Sequence, residues 1–168
     1  FDVDPDMVSR FAQTYDASAR RIYGEPAPMP APRKPGRLRI GYLSPDLRNH
    51  VMGKMLWQAV EFHDRTRFEL FFFSLSTKED EWTARFRGLA DAYENVALLS
   101  ERAAAKRIAA ADLDILVDAA GHTRGAKPGI LALKPARVQI THVGTAGSVG
   151  LAAVDFKLTD RYADVPES

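Results

Sequence analysis

From residue 37 to residue 160 the sequence alternates short apolar runs with longer segments of three- and four-residue periodicity, and this alternation limits which folds the chain can adopt. Leu38–Leu43, Phe68–Leu75, Asp114–Asp118, Val138–His142 and Phe156–Thr159 have strand length and strand composition. The second of these is too rich in aromatics to lie against water, so its sheet is covered on both faces. Between the runs, residues 52–63 carry Met55, Leu56, Ala59, Val60 and Phe62 at helical spacing, and residues 79–90 carry Trp82, Phe86 and Leu89. Residues 101–110 form an alanine-rich helical stretch, and a shorter one follows at 130–133. Strands that alternate with helices at this spacing build right-handed βαβ units, hence an α/β fold with a mainly parallel sheet. Leu38–Leu43 and Ile115–Val117 are expected as neighbouring central strands. In such sheets ligands sit beyond the carboxyl ends of the strands, which directs attention to the loops after residues 43, 118 and 142.

The N-terminal part reads differently. Residues 3–23 are helical, opened by Asp4 and Pro5, with Val8, Phe11, Tyr15, Ala19 and Ile22 along one stripe. Residues 24–36 follow, with five prolines between Pro26 and Pro35; these forbid helix and central strand and predict an extended linker. The expected organisation is therefore an N-terminal helix (1–23) standing as an appendage, a proline-rich linker (24–36) and a lobe (37–168). The chain opens on Phe1 rather than Met and stops at Ser168 without a closing helix, which reads as part of a longer protein.

Composition narrows the chemistry. The 168 residues carry 23 basic and 22 acidic side chains, a net charge of +1, so neither nucleic acid nor an anionic membrane is called for. Cysteine is absent, which removes disulfides, thiolate metal sites and a cysteine nucleophile, and fits a cytoplasmic setting. No apolar run approaches the roughly 18–20 residues that span a bilayer. No cofactor is expected, and no metal, because ligand spacing such as HExxH is missing.

The remaining candidates are loop residues. His50 closes the segment Ser44-Pro45-Asp46-Leu47-Arg48-Asn49-His50 after the first strand. An imidazole there suits a general base, or equally a helix cap. Asp118, at the end of a later strand, precedes Ala119-Ala120-Gly121-His122-Thr123. Asp118 and His122 either pair with each other or bond separately to loop groups. Gly144, Thr145 and Gly147 belong to a glycine-rich stretch after His142 that is either a weak phosphate cradle or a structural turn. Arg124, Lys127, Lys134 and Arg137 flank it and could draw in an acidic diphosphate, although scattered surface charge accounts for them as well. His63 reads as a helix-end residue.

Five segments in register resemble the protein O-GlcNAc transferase / SPINDLY family over about residues 37–166. They are Leu38–Asp46 with Asn49-His50, then Phe68-Glu69-Leu70-Phe71, Ile115–Thr123, Ala132–Gln139 and Asp155–Asp160. The resemblance implies the Rossmann-like N-terminal lobe of a GT-B glycosyltransferase. A C-terminal lobe would hold most of a nucleotide-sugar donor, UDP-GlcNAc or GDP-fucose, and tetratricopeptide repeats would present the protein acceptor. His50 falls on the family's proposed base, and Asp118, His122 and Thr123 on a second cleft-lining motif. Asn49, Gly144, Thr145 and Gly147 would join them in binding substrate. Two departures stand out: Thr145-Ala146 where the family has Tyr-Pro, and Val51 where proline is frequent after the histidine. The implied function is inverting sugar transfer to Ser/Thr of a protein, with the isolated chain inactive. The alternatives are a non-catalytic sugar- or protein-binding module and an unrelated α/β binding domain.

Overall fold

The computed structural model describes residues 4–26, 31, 35–142 and 148–160. Within them lie α1 (Pro5–Tyr23), β1 (Leu38–Ser44), α2 (Val51–Val60), β2 (Phe68–Ser74), α3 (Glu81–Leu89), β3 (Ala92–Asn95), α4 (Glu101–Ala110), β4 (Ile115–Asp118), α5 (Pro128–Ala132), β5 (Val138–His142) and β6 (Phe156–Leu158). The strands form one sheet in the order β3-β2-β1-β4-β5-β6, with every neighbouring pair parallel. The chain winds outward from β1 to β3, then returns to the other side of β1 and winds outward again through β6. The sheet is thus doubly wound, with its topological switch point between β1 and β4. These two are neighbours, with Leu43 opposite Asp118.

Alternation along β1 divides the core. Ile40 and Tyr42 face a cluster with Leu56, Val60, Leu70, Phe72 and Phe86 under α2 and α3. Leu43 faces the other cluster, with Phe73, Ile108, Leu113, Leu116, Ile130 and Leu131 under α4 and α5. A Cβ on Gly41 would come closer than 3.0 Å to the Leu113 side chain, so the bare glycine is what lets Leu113 lie against β1. Polar caps start the helices: Asp4 accepts from Asp6 N–H, Ser100 from Ala103 N–H, and Asp80 from the Trp82 and Thr83 N–H groups.

Two expectations change. β3 was absent from the reading of the sequence. It is a four-residue edge strand, Ala-Tyr-Glu-Asn, half exposed and with no apolar run to betray it. Its place is set by β2, through the Asp91 N–H on Leu70 O and the Val96 N–H on Ser74 O. The N-terminal helix is also not an appendage. Ala19 is buried in the core cluster that includes Leu131 and Leu151. Tyr23 donates to Glu101 of α4, and Asp16 accepts from the Ala152 N–H at 2.8 Å. α1 packs on α5 through Tyr15, Ala19 and Tyr23, whereas Val8, Phe11 and Ile22 of the expected stripe are exposed.

His63 pairs with Tyr42 through its Nε2 and lies against Phe68. Burial, aided by the Arg65 charge, holds the imidazole below its ordinary pKa of 6.5, and burial pushes the Tyr42 hydroxyl up to about 12. The unfolded chain takes up the His63 proton near 6.5, whereas the folded chain resists it to lower pH. This contribution to stability is therefore complete above pH 6.5 and declines as pH falls below it. In denaturant, the unfolding midpoint should drop between about pH 7.5 and about pH 5.5, and drop less in His63→Gln. Parallel pH profiles for the two proteins would remove His63 as the cause.

Candidate functional site

The loops after β1 and β4 leave the same edge of the sheet at the switch point, and they touch: a Cβ on Gly125 would lie 3.2 Å from Pro45 Cβ. The β1 loop is held from four directions. Ser44 Oγ accepts from the Asp46 N–H at 3.0 Å, and Asp46 Oδ1 binds Arg48 at 3.0 Å. Thr83 donates to Leu47 O at 2.9 Å, and Asp80 Oδ2 accepts from the Asn49 N–H at 2.7 Å. The α3 cap therefore anchors the loop that ends in His50.

His50 is the N-cap of α2, with its side chain 39% exposed. Its Nδ1 lies 3.3 Å from the Met52 N–H and 3.4 Å from Asp46 Oδ2. One nitrogen cannot serve both partners. With Nδ1 unprotonated it caps the helix, and Nε2 carries the proton. With the proton on Nδ1 it donates to Asp46, and Nε2 presents a lone pair. The second tautomer, oriented by a carboxylate four residues earlier, is the one able to accept a proton. Asp46 belongs to the same Ser44–His50 segment, and its signal in the sequence is the i, i+4 spacing to His50 beside a helix start.

The remaining candidates do not all turn toward His50. Asn49 is exposed, and its side-chain amide donates to Glu81 at 3.1 Å, on the α3 side. Asp118 is 3% exposed; its oxygens accept from the Ala120 N–H at 3.1 Å and the Gly121 N–H at 2.8 Å. Burial pushes this carboxyl above its ordinary range, against the pull of those two N–H groups and of His122. Asp118 thus shapes the loop that follows β4 by holding these two N–H groups. Of the two arrangements open for Asp118 and His122, the structure has separate partners. His122 Nε2 bonds Val149 O at 2.8 Å, and its ring meets Tyr15 of α1 edge-on with centroids 5.0 Å apart. Thr123 donates to Ala120 O at 2.7 Å and remains exposed. Gly144, Thr145 and Gly147 lie outside the described residues. The basic flank is mostly structural: Lys127 ties Ala97 O and Leu99 O, Lys134 pairs with Asp155, and Arg137 with Asp112. Among the described residues no group of three or more His, Asp or Glu side chains could hold a metal, and no helix is long and apolar enough to cross a membrane.

Gly53, in the first turn of α2, is built into this arrangement. A Cβ there would fall closer than 3.0 Å to both Asp46 O and Arg48 O. Gly→Ala inside a helix ordinarily gains about 0.8–1.0 kcal/mol. Here the obstructing atoms are backbone, and overpacking costs about 1–3 kcal/mol. The clash should win, so Gly53→Ala should lower the unfolding midpoint and shift the amide NMR signals of residues 46–50. A stabilised variant would mean that the loop yields freely.

The switch-point geometry alone is shared by many α/β proteins. Residues 23–167 match the family described as glycosyl transferase family 41. This chain belongs to glycosyl transferase family 41. It is 31% identical over 173 residues to the Arabidopsis thaliana protein named probable UDP-N-acetylglucosamine–peptide N-acetylglucosaminyltransferase SEC, across 96% of this chain and 18% of that one. It is 35% identical over 129 residues to the Caenorhabditis elegans UDP-N-acetylglucosamine–peptide N-acetylglucosaminyltransferase, across 74% of this chain and 11% of that one. Its fold superposes on a solved O-GlcNAc transferase mutant of Thermobaculum terrenum with a TM-score of 0.80 and 31% identity, over 93% of this chain and 30% of that chain. The family 41 chain thus spans less than a third of each of these relatives. Its doubly wound lobe is the corresponding part of the Thermobaculum fold.

Proposed function

We propose that this chain is the N-terminal lobe of an inverting protein O-glycosyltransferase, which moves a sugar from a nucleotide diphosphate donor to a Ser/Thr hydroxyl. The observation that carries the reading is His50, half exposed at the switch point with Asp46 Oδ2 at 3.4 Å from Nδ1. In the proposed step the acceptor hydroxyl loses its proton to His50 Nε2 as its oxygen attacks the anomeric carbon. The bond to the diphosphate breaks, and the diphosphate leaves with the electron pair. Asp46 holds the competent tautomer and stabilises the imidazolium that forms. Asp118 holds the neighbouring loop, on which Thr123 is open to a ligand; Asn49 and His122 border the same edge. The donor's diphosphate would be bound by a C-terminal lobe, and the acceptor protein by tetratricopeptide repeats, in a cytoplasmic enzyme. UDP-GlcNAc is the donor favoured by the names of the relatives.

The test is a transfer assay on the full-length gene product with an acceptor protein and each of UDP-GlcNAc and GDP-fucose. GlcNAc transfer is expected. Fucose transfer would keep the reaction class and change the donor. No donor consumption under either condition would overturn the enzymatic reading in favour of a binding module. The 168-residue chain alone should turn over neither donor.

A further inference from the structure

An apolar cavity with a basic rim lies on the opposite edge of the sheet. Between α4 and the segments leading into β4 and β5 is a cavity of about 340 Å³, within the roughly 300–1,000 Å³ typical of small-molecule sites. Its walls are apolar, made by Ala105, Leu113, Leu133 and Pro135. Its rim is cationic: Arg102, Lys106, Lys134 and Arg137 line it against one acid, Asp112.

Two features of the rim bear on what the cavity could hold. Lys134 and Arg137 are fixed in place, with side chains only 12% and 13% exposed. Lys134 is bound to Ala153 O and Asp155, and Arg137 to Leu113 O and Asp112. Arg102 and Lys106 stand four residues apart on α4, so two like charges share one helix face, an arrangement that is unfavourable until an anion joins them. Arg102 is anchored on Ile22 O and over the Tyr23 ring, which leaves the Lys106 ammonium as the cation without a partner among the described residues.

We propose that this cavity binds a small organic anion with an apolar body, its charged head on Lys106 and Arg102 and its body against Leu113, Leu133 and Pro135. An apolar wall with a cationic rim rejects both halves of that ligand taken separately. A neutral hydrocarbon leaves the like charges unrelieved, and an inorganic anion leaves the walls wet.

The experiment titrates the chain with octanoate by calorimetry, with octanol and inorganic phosphate as probes of body and charge alone. Saturable one-to-one binding of octanoate is expected, with octanol and phosphate at least about ten-fold weaker. Lys106→Glu and the milder Lys106→Gln should each weaken octanoate by about ten-fold or more without lowering the unfolding midpoint, because Lys106 is exposed and its removal relieves the repulsion with Arg102. No octanoate binding, octanoate binding by both Lys106 variants as tight as by the unaltered chain, or phosphate or octanol binding as tightly as octanoate would each overturn the proposal.

Discussion

In the full-length gene product, His50→Ala should lower sugar transfer by about 100-fold or more while leaving the lobe folded, the loss that the proposed general-base role implies. The fold should survive because the β1 loop has other supports. Thr83 on Leu47 O, Asp80 on the Asn49 N–H and Arg48 on Asp46 do not involve the imidazole. The cost of the lost cap is the Met52 N–H bond, about 1 kcal/mol. Kinetics and unfolding measured on the same preparation separate the two effects. If the loss falls in kcat with KM nearly constant, His50 acts in the transition state. Wild-type turnover would reduce it to a helix cap and leave the lobe without a base.

Phe72→Ala should cost about 3–5 kcal/mol of stability. Phe72 is wholly buried on β2, stacked on Tyr42 with centroids 5.5 Å apart and packed on Phe86 at 5.3 Å. Those neighbours come from β1 and α3, both pinned by other contacts, so the space left by the ring cannot close fully. Against a total stability of 5–15 kcal/mol for a typical domain, this single change brings the lobe near its unfolding limit. Urea unfolding followed by circular dichroism checks the value; a cost below about 1 kcal/mol would mean that the layer under α2 and α3 repacks readily.

The central strands were legible because burial on both faces writes them as continuous apolar runs. Leu38–Leu43 and Ile115–Val117 were placed as neighbours and are paired. β3 was not legible, since an edge strand takes its position from its partner's N–H and C=O groups rather than from side chains. The docking of α1 was hidden for a related reason. A helix stripe shows that a partner exists but not which one, and the proline-rich stretch argued for separation. In the site, the positions of the loops followed from topology, but the directions of the side chains did not. Asn49 turns to Glu81 and His122 to Val149 O and Tyr15, through partners 27 to 107 positions away in sequence or on another element. Periodicity carries no trace of such bonds. Asp118 shows the limit most plainly: an aspartate at a strand end reads the same whether its oxygens are open or held, and only the fold shows them on the Ala120 and Gly121 N–H groups.

The seating of α1 has a consequence for the loops at the carboxyl edge. Tyr15 rests on His122, Asp16 on the Ala152 N–H, and Gly150, in left-handed backbone, admits Ala12 so closely that a Cβ there would lie 3.1 Å from its Cα. The helix therefore meets both the loop after β4 and the segment leading to β6. Any displacement of α1 would have to break these contacts or carry His122 and Ala152 with it. The helix is in this sense a brace across the carboxyl edge, joining two loops that the sheet itself does not connect.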